Sequence, residues 1–474
     1  MKPADLFDRV SEWSEFSKFT NAKTPGLSLA ILSGRRRTGK SYFLRRLAAD
    51  GIYYQGIQEE RAPALDRVSR LIAQLRNMPG AGPTLRDWKV AIDLILDQAG
   101  AAPVVLDEYP YLLQRSPELS SVLQLICDER RAGQRQRLIL CGSSISTMQH
   151  LLSGSQPLRG RAQIDMRMGA FDYRLARTFW KIRDPATAFL VDALLGGAPG
   201  YRDLIAEAPP QSVKAFPEWV GTTVMNPSHA LYREDEFLLR EDPKLAEQSL
   251  YRTILGAVAA GERTPTRLGG RIGRDRTALS VLLNNLTAAG FLRKETELGR
   301  VRAVTYCVED PIVRFSQLVL APHRDRLDER KWKPVWDDVE PTWRAQILGP
   351  HFETLALAWL RSYAAKETIG GNAKQFGRLV VADRERRTSI ELDVAALGQD
   401  DKVLLLAEVE ATAGKRGLAD LARLTRAREL LGSKAARARL MLVSLSGFDR
   451  ALLAKAKANR DIELVDIERL YEGS

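Results

Sequence analysis

Short apolar runs, separated by longer stretches of helical periodicity, fill the first 200 residues of the chain. Leu27–Leu32 is one such run, and Gly51–Ile57, Pro103–Asp107 and Arg137–Ser144, the last with a polar tip, hold others. Uninterrupted apolar segments of this length predict strands buried on both faces. Helices are predicted over Tyr42–Ala49, over a long region broken around Pro79–Pro83 and resumed near Trp88, and over residues 117–132. Strands alternating with helices predict a mostly parallel sheet covered on both faces, with ligands at the carboxyl ends of its strands. Further on, Gln248–Ala260 has an amphipathic pattern, Thr264 opens a turn, and Arg276–Ala289 is a second helix. A strand starting at Gly290 then returns at Arg302–Cys307. That order is the order of a winged helix-turn-helix. Residues 325–342 are charged and carry Pro334 and Pro341, with Trp332, Trp336 and Trp343 in or beside them, and predict a linker. A last α/β pattern follows: a helix over 350–364, strands near 376–382, 389–396 and 402–409, a helix near 417–432 and a strand over 438–444.

The polar residues after the first strand change the picture. Gly34-Arg35-Arg36-Arg37-Thr38-Gly39-Lys40-Ser41 fits G-x-x-x-x-G-K-[ST], with the strand and helix that a phosphate-cradling loop requires. Gly34 and Gly39 let successive N–H groups curl around phosphates with no Cβ in the way. The helix N-terminus adds partial positive charge. Lys40 is expected to reach the β- and γ-phosphates of ATP, and Ser41 to ligate Mg2+. Arg35, Arg36 and Arg37 either add positive potential there or face outward. Asp107 and Glu108 end a strand 67 residues after Lys40. A strand-end Asp can hold Mg2+ through water while the adjacent Glu polarises the attacking water. Ser143 or Ser144 then bonds the γ-phosphate or that water, or merely caps a helix. Arg161, in a loop with Pro157, either reaches a γ-phosphate within the chain or across a homo-oligomer interface, or is a solvated charge.

At 474 residues the chain is too long for one ordinary core. Its net charge of +12 favours an anionic partner, nucleic acid being the obvious one and double-stranded DNA a candidate, unless the arginine simply reflects genome composition. Between Gly261 and Arg302 nine Lys/Arg face four Asp/Glu. Arg271 and Arg274 precede the second helix, and Arg293, Lys294, Arg300 and Arg302 lie on the wing, where they suit phosphate contacts. Against this, Leu279, Leu282, Leu283 and Leu286 leave that helix few base-reading residues. Three scattered cysteines make neither a disulfide framework nor a zinc spacing. No apolar run approaches the roughly 20 residues of a membrane helix, and the N-terminus lacks a signal peptide's apolar segment. A cytoplasmic chain with no membrane partner is expected.

The loop Gly34–Ser41, Val104-Val-Leu-Asp-Glu-Tyr-Pro-Tyr111, Leu138-Ile-Leu-Cys-Gly-Ser-Ser144 and Pro157-Leu-Arg-Gly-Arg161 together resemble the archaeal-type ATPase family, within the AAA+/STAND-like P-loop ATPases. Phe7-Asp8-Arg9 resembles that family's N-terminal element, and Leu195-Gly-Gly-Ala-Pro-Gly-Tyr201 the glycine–proline turn of its helical lid. The likeness spans residues 5–320 and implies an ATP-binding core, a lid and a winged-helix module. Ile390-Glu-Leu-Asp393 followed by Val403-Leu-Leu-Leu-Ala-Glu408-Val-Glu410 resembles the restriction-endonuclease-like core D-(x)n-E-x-K. In that fold Asp393 and Glu408 would hold a second divalent metal, accompanied by Glu353. Glu410 stands where the motif has lysine and cannot supply that positive charge, while Lys415 lies five residues on. Glu408 and Glu410 share one side of a strand, so a metal or an arginine sits between them, or they are exposed.

The fold expected is α/β: a P-loop NTPase core with a parallel sheet (1–175), a helical lid (176–240) and a winged helix-turn-helix (241–325), then a linker (326–342) and a C-terminal restriction-endonuclease-like α/β domain (343–474), active or degenerate. The function expected is that of a slow ATPase with ATP and Mg2+ as cofactors, acting as a nucleotide-dependent switch coupled to DNA or protein. The alternatives are a DNA-binding regulator or defence protein that senses ATP, and an ATP-gated metal-dependent nuclease.

Overall fold

The four apolar runs form strands β1 (Leu27–Ser33), β2 (Ile52–Gln55), β3 (Pro103–Asp107) and β4 (Gln136–Gly142), and β5 (Ala162–Arg167) joins them. This computed structural model describes residues 1–78, 82–245 and 247–474. The sheet order is β2-β3-β4-β1-β5, with every pair parallel. Alternate residues of a strand face opposite sides, so a two-sided core needs both sets apolar. Leu29, Ile31, Leu138 and Leu140 pack against Val68, Ile72, Trp88, Ile92 and Leu123 on one side. Ala30, Leu32, Val105 and Ile139 pack against Phe16, Phe19, Phe43 and Leu44 on the other. Each of the Leu, Ile, Val and Phe side chains among them contributes about 1.5–3 kcal/mol by leaving water. The helix resumed near Trp88 is Trp88–Ala99, capped by Asp87, whose side chain accepts from Val90 N. The break expected at 79–83 lies largely outside the described residues.

The sequence pattern did not signal β5. It is an edge strand whose residues alternate between half-buried and exposed, with Asp165 and Arg167 among them, so no apolar run marks it.

The chain divides into two compact units. The first is Met1–Phe171 together with two later segments, Ala198–Asp203 and Phe237–Ala246. The second is Asp172–Gly197, Leu204–Glu236 and Glu247–Ser474. In the second unit, helices Gln248–Ala259, Pro265–Ile272 and Arg276–Ala288 precede an antiparallel pair, β6 (Leu292–Glu297) and β7 (Arg300–Val308). The stretch expected to be only a turn after Thr264 is thus a helix, capped by Thr264 with Pro265 in its first turn.

The charged stretch 326–342, expected as a linker, is also largely helical. Trp332–Thr342 is an α-helix that buries Val335, Trp336 and Val339, and the backbone stays helical to Ser362. Its tryptophans anchor it: the Phe216 and Trp343 rings stack at 5.6 Å, and Trp336 meets both. Beyond it a mixed sheet has the order β12-β11-β10-β9-β8. Its strands are β8 (Gln375–Asp383), β9 (Thr388–Leu397), β10 (Val403–Glu410), β11 (Arg439–Ser444) and β12 (Ile462–Asp466). β8, β9 and β10 run antiparallel. The helix Leu418–Leu431 then carries the chain over to β11, parallel to β10, and β12 is parallel to β11. Helices Arg450–Ala458 and Ile467–Glu472, with β12 between them, complete a region that the sequence pattern left unassigned. Among the described residues no helix is long and apolar enough to cross a membrane.

Candidate functional site

The loop after β1 is built as its residue types require. Gly34 adopts φ +156°, where a Cβ would lie 2.4 Å from the Met168 carbonyl oxygen, and Gly39 adopts φ +89°. Thr38 Oγ1 donates to Arg35 O at 2.8 Å, tightening the turn. Lys40 is buried, and its ammonium folds back onto the carbonyls of Gly34 (2.6 Å) and Arg35 (2.9 Å). Arg36 is exposed, while Arg35 and Arg37 are half-buried. Arg37 takes a left-handed φ of +70°, which is uncommon outside glycine.

Two segments far away in sequence brace this loop. The Arg9 guanidinium is 6% exposed and donates to Thr38 O (2.9 Å) and Gly169 O (2.8 Å). Gly200 N donates to Arg37 O at 2.9 Å, and a Cβ there would meet Arg37 Cα at 2.9 Å. The Phe7–Arg9 element and the Gly196–Tyr201 turn carried no site role in the sequence. Here Arg9 and Gly200 hold the strained part of the loop.

Beside the loop, Asp107 is fully buried and accepts from the Ser41 hydroxyl at 2.7 Å. The Tyr53 hydroxyl donates to the same oxygen, and Glu108 N to the other at 2.9 Å. Burial works against the charge of Asp107. Hydrogen bonds from Cys141, Ser41 and Tyr53 outweigh it and hold the carboxyl below its ordinary value. An ionised, buried carboxylate touching the loop serine suits a divalent cation bound between them, so the residues fit Mg2+. Tyr53 went unrecognised as a site residue because a tyrosine in a short strand reads as core.

β4 lies between β1 and β3, which places its exit between the two halves of the site. Ser143 donates to Glu108 Oε2 through both its hydroxyl (2.9 Å) and its amide (3.3 Å). Ser144 instead caps the helix Ile145–His150, the capping role that the sequence offered as the alternative. Arg161 is not brought to this site. Its guanidinium is held by Asp128 at 2.8 and 3.1 Å and by Pro157 O at 2.8 Å. It precedes Ala162, which pairs with Leu29, whereas the loop follows Ser33, paired with Arg167. Arg161 is therefore at the opposite end of the strands, six residues or about 20 Å from Arg167 at 3.3 Å per residue.

The second constellation forms a different kind of centre. Glu408, 4% exposed, lies 2.7 Å from Arg423 Nη1 and 3.5 Å from Arg416 Nη2. Arg416 also reaches Glu410 (3.3 Å) and Asp420 (2.8 Å), so an arginine sits between the two strand glutamates. Glu353 accepts from Arg378 at 3.3 Å, and Asp393 from Val409 N at 2.9 Å. Burial raises the pKa of Asp393. It pushes Glu353 up to about 6, helped by Asp393, and Glu408 up to about 7. Among the described residues, no three Cys, His, Asp or Glu side chains converge to hold a metal ion. Arg416 and Arg423 thus take up Glu408, the glutamate expected to share a second cation with Asp393.

A family described as archaeal and bacterial proteins of unknown function, DUF234, matches residues 317–417. An uncharacterised protein of Methanocaldococcus jannaschii is 22% identical over 388 residues, covering 80% of this chain and 82% of its own length. Among solved structures, the Walker-type ATPase of Pyrococcus abyssi aligns with 66% of this chain and 96% of its own, at 19% identity and a TM-score of 0.48. The ORC2 protein of Aeropyrum pernix aligns with 72% of this chain and 97% of its own, at 15% identity and a TM-score of 0.43.

Proposed function

We propose that this chain binds ATP with Mg2+ at Gly34–Ser41, hydrolyses it slowly, and uses the nucleotide as a switch on a DNA- or protein-binding surface. The observation that carries the reading is the juxtaposition of Ser41, Asp107, Glu108 and Ser143 around one loop, at hydrogen-bonding distances of 2.7–3.3 Å. Ser41 and Asp107 would hold Mg2+, which supplies charge neutralisation at the phosphate oxygens. Lys40 exchanges two carbonyl acceptors for the phosphates, and the loop amides take the remaining oxygens. Glu108 accepts the proton of the attacking water, and Ser143 orients its carboxylate. Slow turnover fits a glutamate engaged by Ser143 and an Arg161 remote from the site.

The three helices and hairpin of residues 248–308 support a winged helix-turn-helix reading. Arg267, Arg271 and Arg274 are exposed around its turn, where phosphate contacts would form. The wing is less free, since Arg293 is engaged by Glu295 (2.8 Å) and Glu309 (3.1 Å). The side chains of Arg300 and Arg302 lie outside the described residues. In the C-terminal unit the antiparallel β8–β10 meander and crossover to a parallel β11 support a restriction-endonuclease-like fold. The arginine-bound glutamates there favour an interaction module over a nuclease.

Equilibrium binding and turnover test the ATP site. Lys40→Ala should lower ATP affinity at least about tenfold, as expected for loss of a charge-assisted contact. Glu108→Gln should retain ATP while losing hydrolysis, by about 100-fold or more. Unchanged turnover in Glu108→Gln would remove that residue from its role. Full ATP affinity in Lys40→Ala would remove the site.

A further inference from the structure

The acidic pair Glu241-Asp242 has no part in the chemistry above, yet it lies in the same compact unit as the nucleotide loop. Glu241 is ion-paired with Arg36, and its side chain is 11% exposed against 44% for the arginine. The same carboxylate lies within electrostatic reach of Lys40, which attracts it, and of Glu108, which repels it. Lys40 and Glu108 are the groups assigned to the terminal phosphate and the attacking water. The neighbouring Asp242, bonded to Ser144 and Ser146 just past the Ser143 that holds Glu108, places Glu241 on the Glu108 side of the loop. Burial disfavours its charge, so the positive charges of Arg36 and Lys40 are what hold it there. Asp242 anchors the segment: it is 5% exposed and accepts from Ser146 Oγ (2.6 and 2.8 Å) and Ser144 Oγ (3.3 Å). Those serines open the helix that follows Ser143. The chain on either side of this segment belongs to the other compact unit.

We propose that Glu241 makes this site discriminate a nucleoside triphosphate from a diphosphate: its carboxylate occupies Arg36 in the γ-phosphate's stead, and a bound triphosphate displaces it. This rests on the ATP reading of the loop. A γ-phosphate brings more negative charge than one carboxylate and three acceptor oxygens, so it outcompetes Glu241 for Arg36 and Lys40. Left beside the phosphate, Glu241 would face two like charges, the phosphate and Glu108. A diphosphate leaves the Arg36–Glu241 pair intact. Residues 237–245 are then docked with ADP and released with ATP, which turns hydrolysis into a movement of the chain that leads into the second unit.

Calorimetric titration of wild type and Glu241→Gln with Mg-ATP and Mg-ADP tests this, alongside hydrogen exchange over residues 237–245 of the wild type. Glu241→Gln should bind ATP about three- to tenfold more tightly and ADP within about twofold of wild type. Exchange over 237–245 should quicken with ATP and not with ADP. An unaltered variant, an equal shift for both nucleotides or weaker ATP binding overturns the role of Glu241. So does unchanged exchange in the ATP-bound wild type, which needs no variant to fold. Wild type that binds neither nucleotide removes the ATP reading itself, whereas wild type that binds both beside an unaltered variant removes only Glu241.

Discussion

Arg37 shows what a consensus loop leaves unsaid about its own support. Its left-handed backbone costs of order 1 kcal/mol and persists only where neighbours enforce it. Gly200 is that neighbour, donating to Arg37 O from a position where any Cβ would press on Arg37 Cα. Gly200→Ala should push the turn away and weaken ATP binding about tenfold, while the melting temperature moves only a few degrees, since one contact is worth about 1–2 kcal/mol. Titration beside a thermal melt checks this, and unchanged affinity would mean that the loop holds Arg37 alone. The convergence of Ser41, Asp107, Glu108 and Ser143 was legible because the loop motif and the strand ends fix their places. The contacts of Arg9, Tyr53, Gly200 and Glu241 were not, because each is made only after folding. The within-chain reach of Arg161 to the loop fails for the converse reason: a lone arginine near the last strand does not reveal which end of that strand it occupies.

Among elements, those with a strong period were legible and those set by tertiary context were not. β1, β3 and β4 announce themselves because a sheet covered on both faces requires unbroken apolar runs. β5, at the sheet edge, and the helix Trp332–Thr342, rich in charge and proline, gain their structure from what they pack against. In β10 the apolar run was legible, yet the same pattern hides a buried ionisable group. Burial pushes Glu408 up to about 7, although Arg423 and Arg416 pull it down. An unfolded glutamate titrates near 4.3, so the stability tied to this group is complete below about pH 4 and lost as pH rises through about 7. Glu353, pushed up to about 6 by burial, acts in the same direction. Glu408→Gln removes the titration while keeping the shape. Relative to wild type it should gain about 1–3 kcal/mol in urea unfolding between pH 5 and pH 8. A difference that stays constant over that range would show the arginines already holding Glu408 charged at the lower pH.

For the whole molecule the net charge of +12 is informative only where it is concentrated. Much of the arginine is spent internally: Arg416 and Arg423 on Glu408, Arg378 on Glu353, Arg161 on Asp128. Arg267, Arg271 and Arg274 are exposed, and on the proposed helix-turn-helix reading they are the phosphate contacts. Each phosphate neutralised on duplex DNA adds about 0.9 to the slope of log affinity against log salt. The double variant Arg271→Ala/Arg274→Ala should therefore lower that slope by about two and weaken binding alike for unrelated sequences. Fluorescence anisotropy on labelled duplexes over a salt series measures both quantities. Repeating the series with Mg-ATP, with Mg-ADP and on Lys40→Ala asks whether the nucleotide sets the affinity, as a switch requires. An equal slope in the double variant would move the DNA surface elsewhere. Wild type with no salt-dependent binding would favour a protein over DNA as the proposed partner.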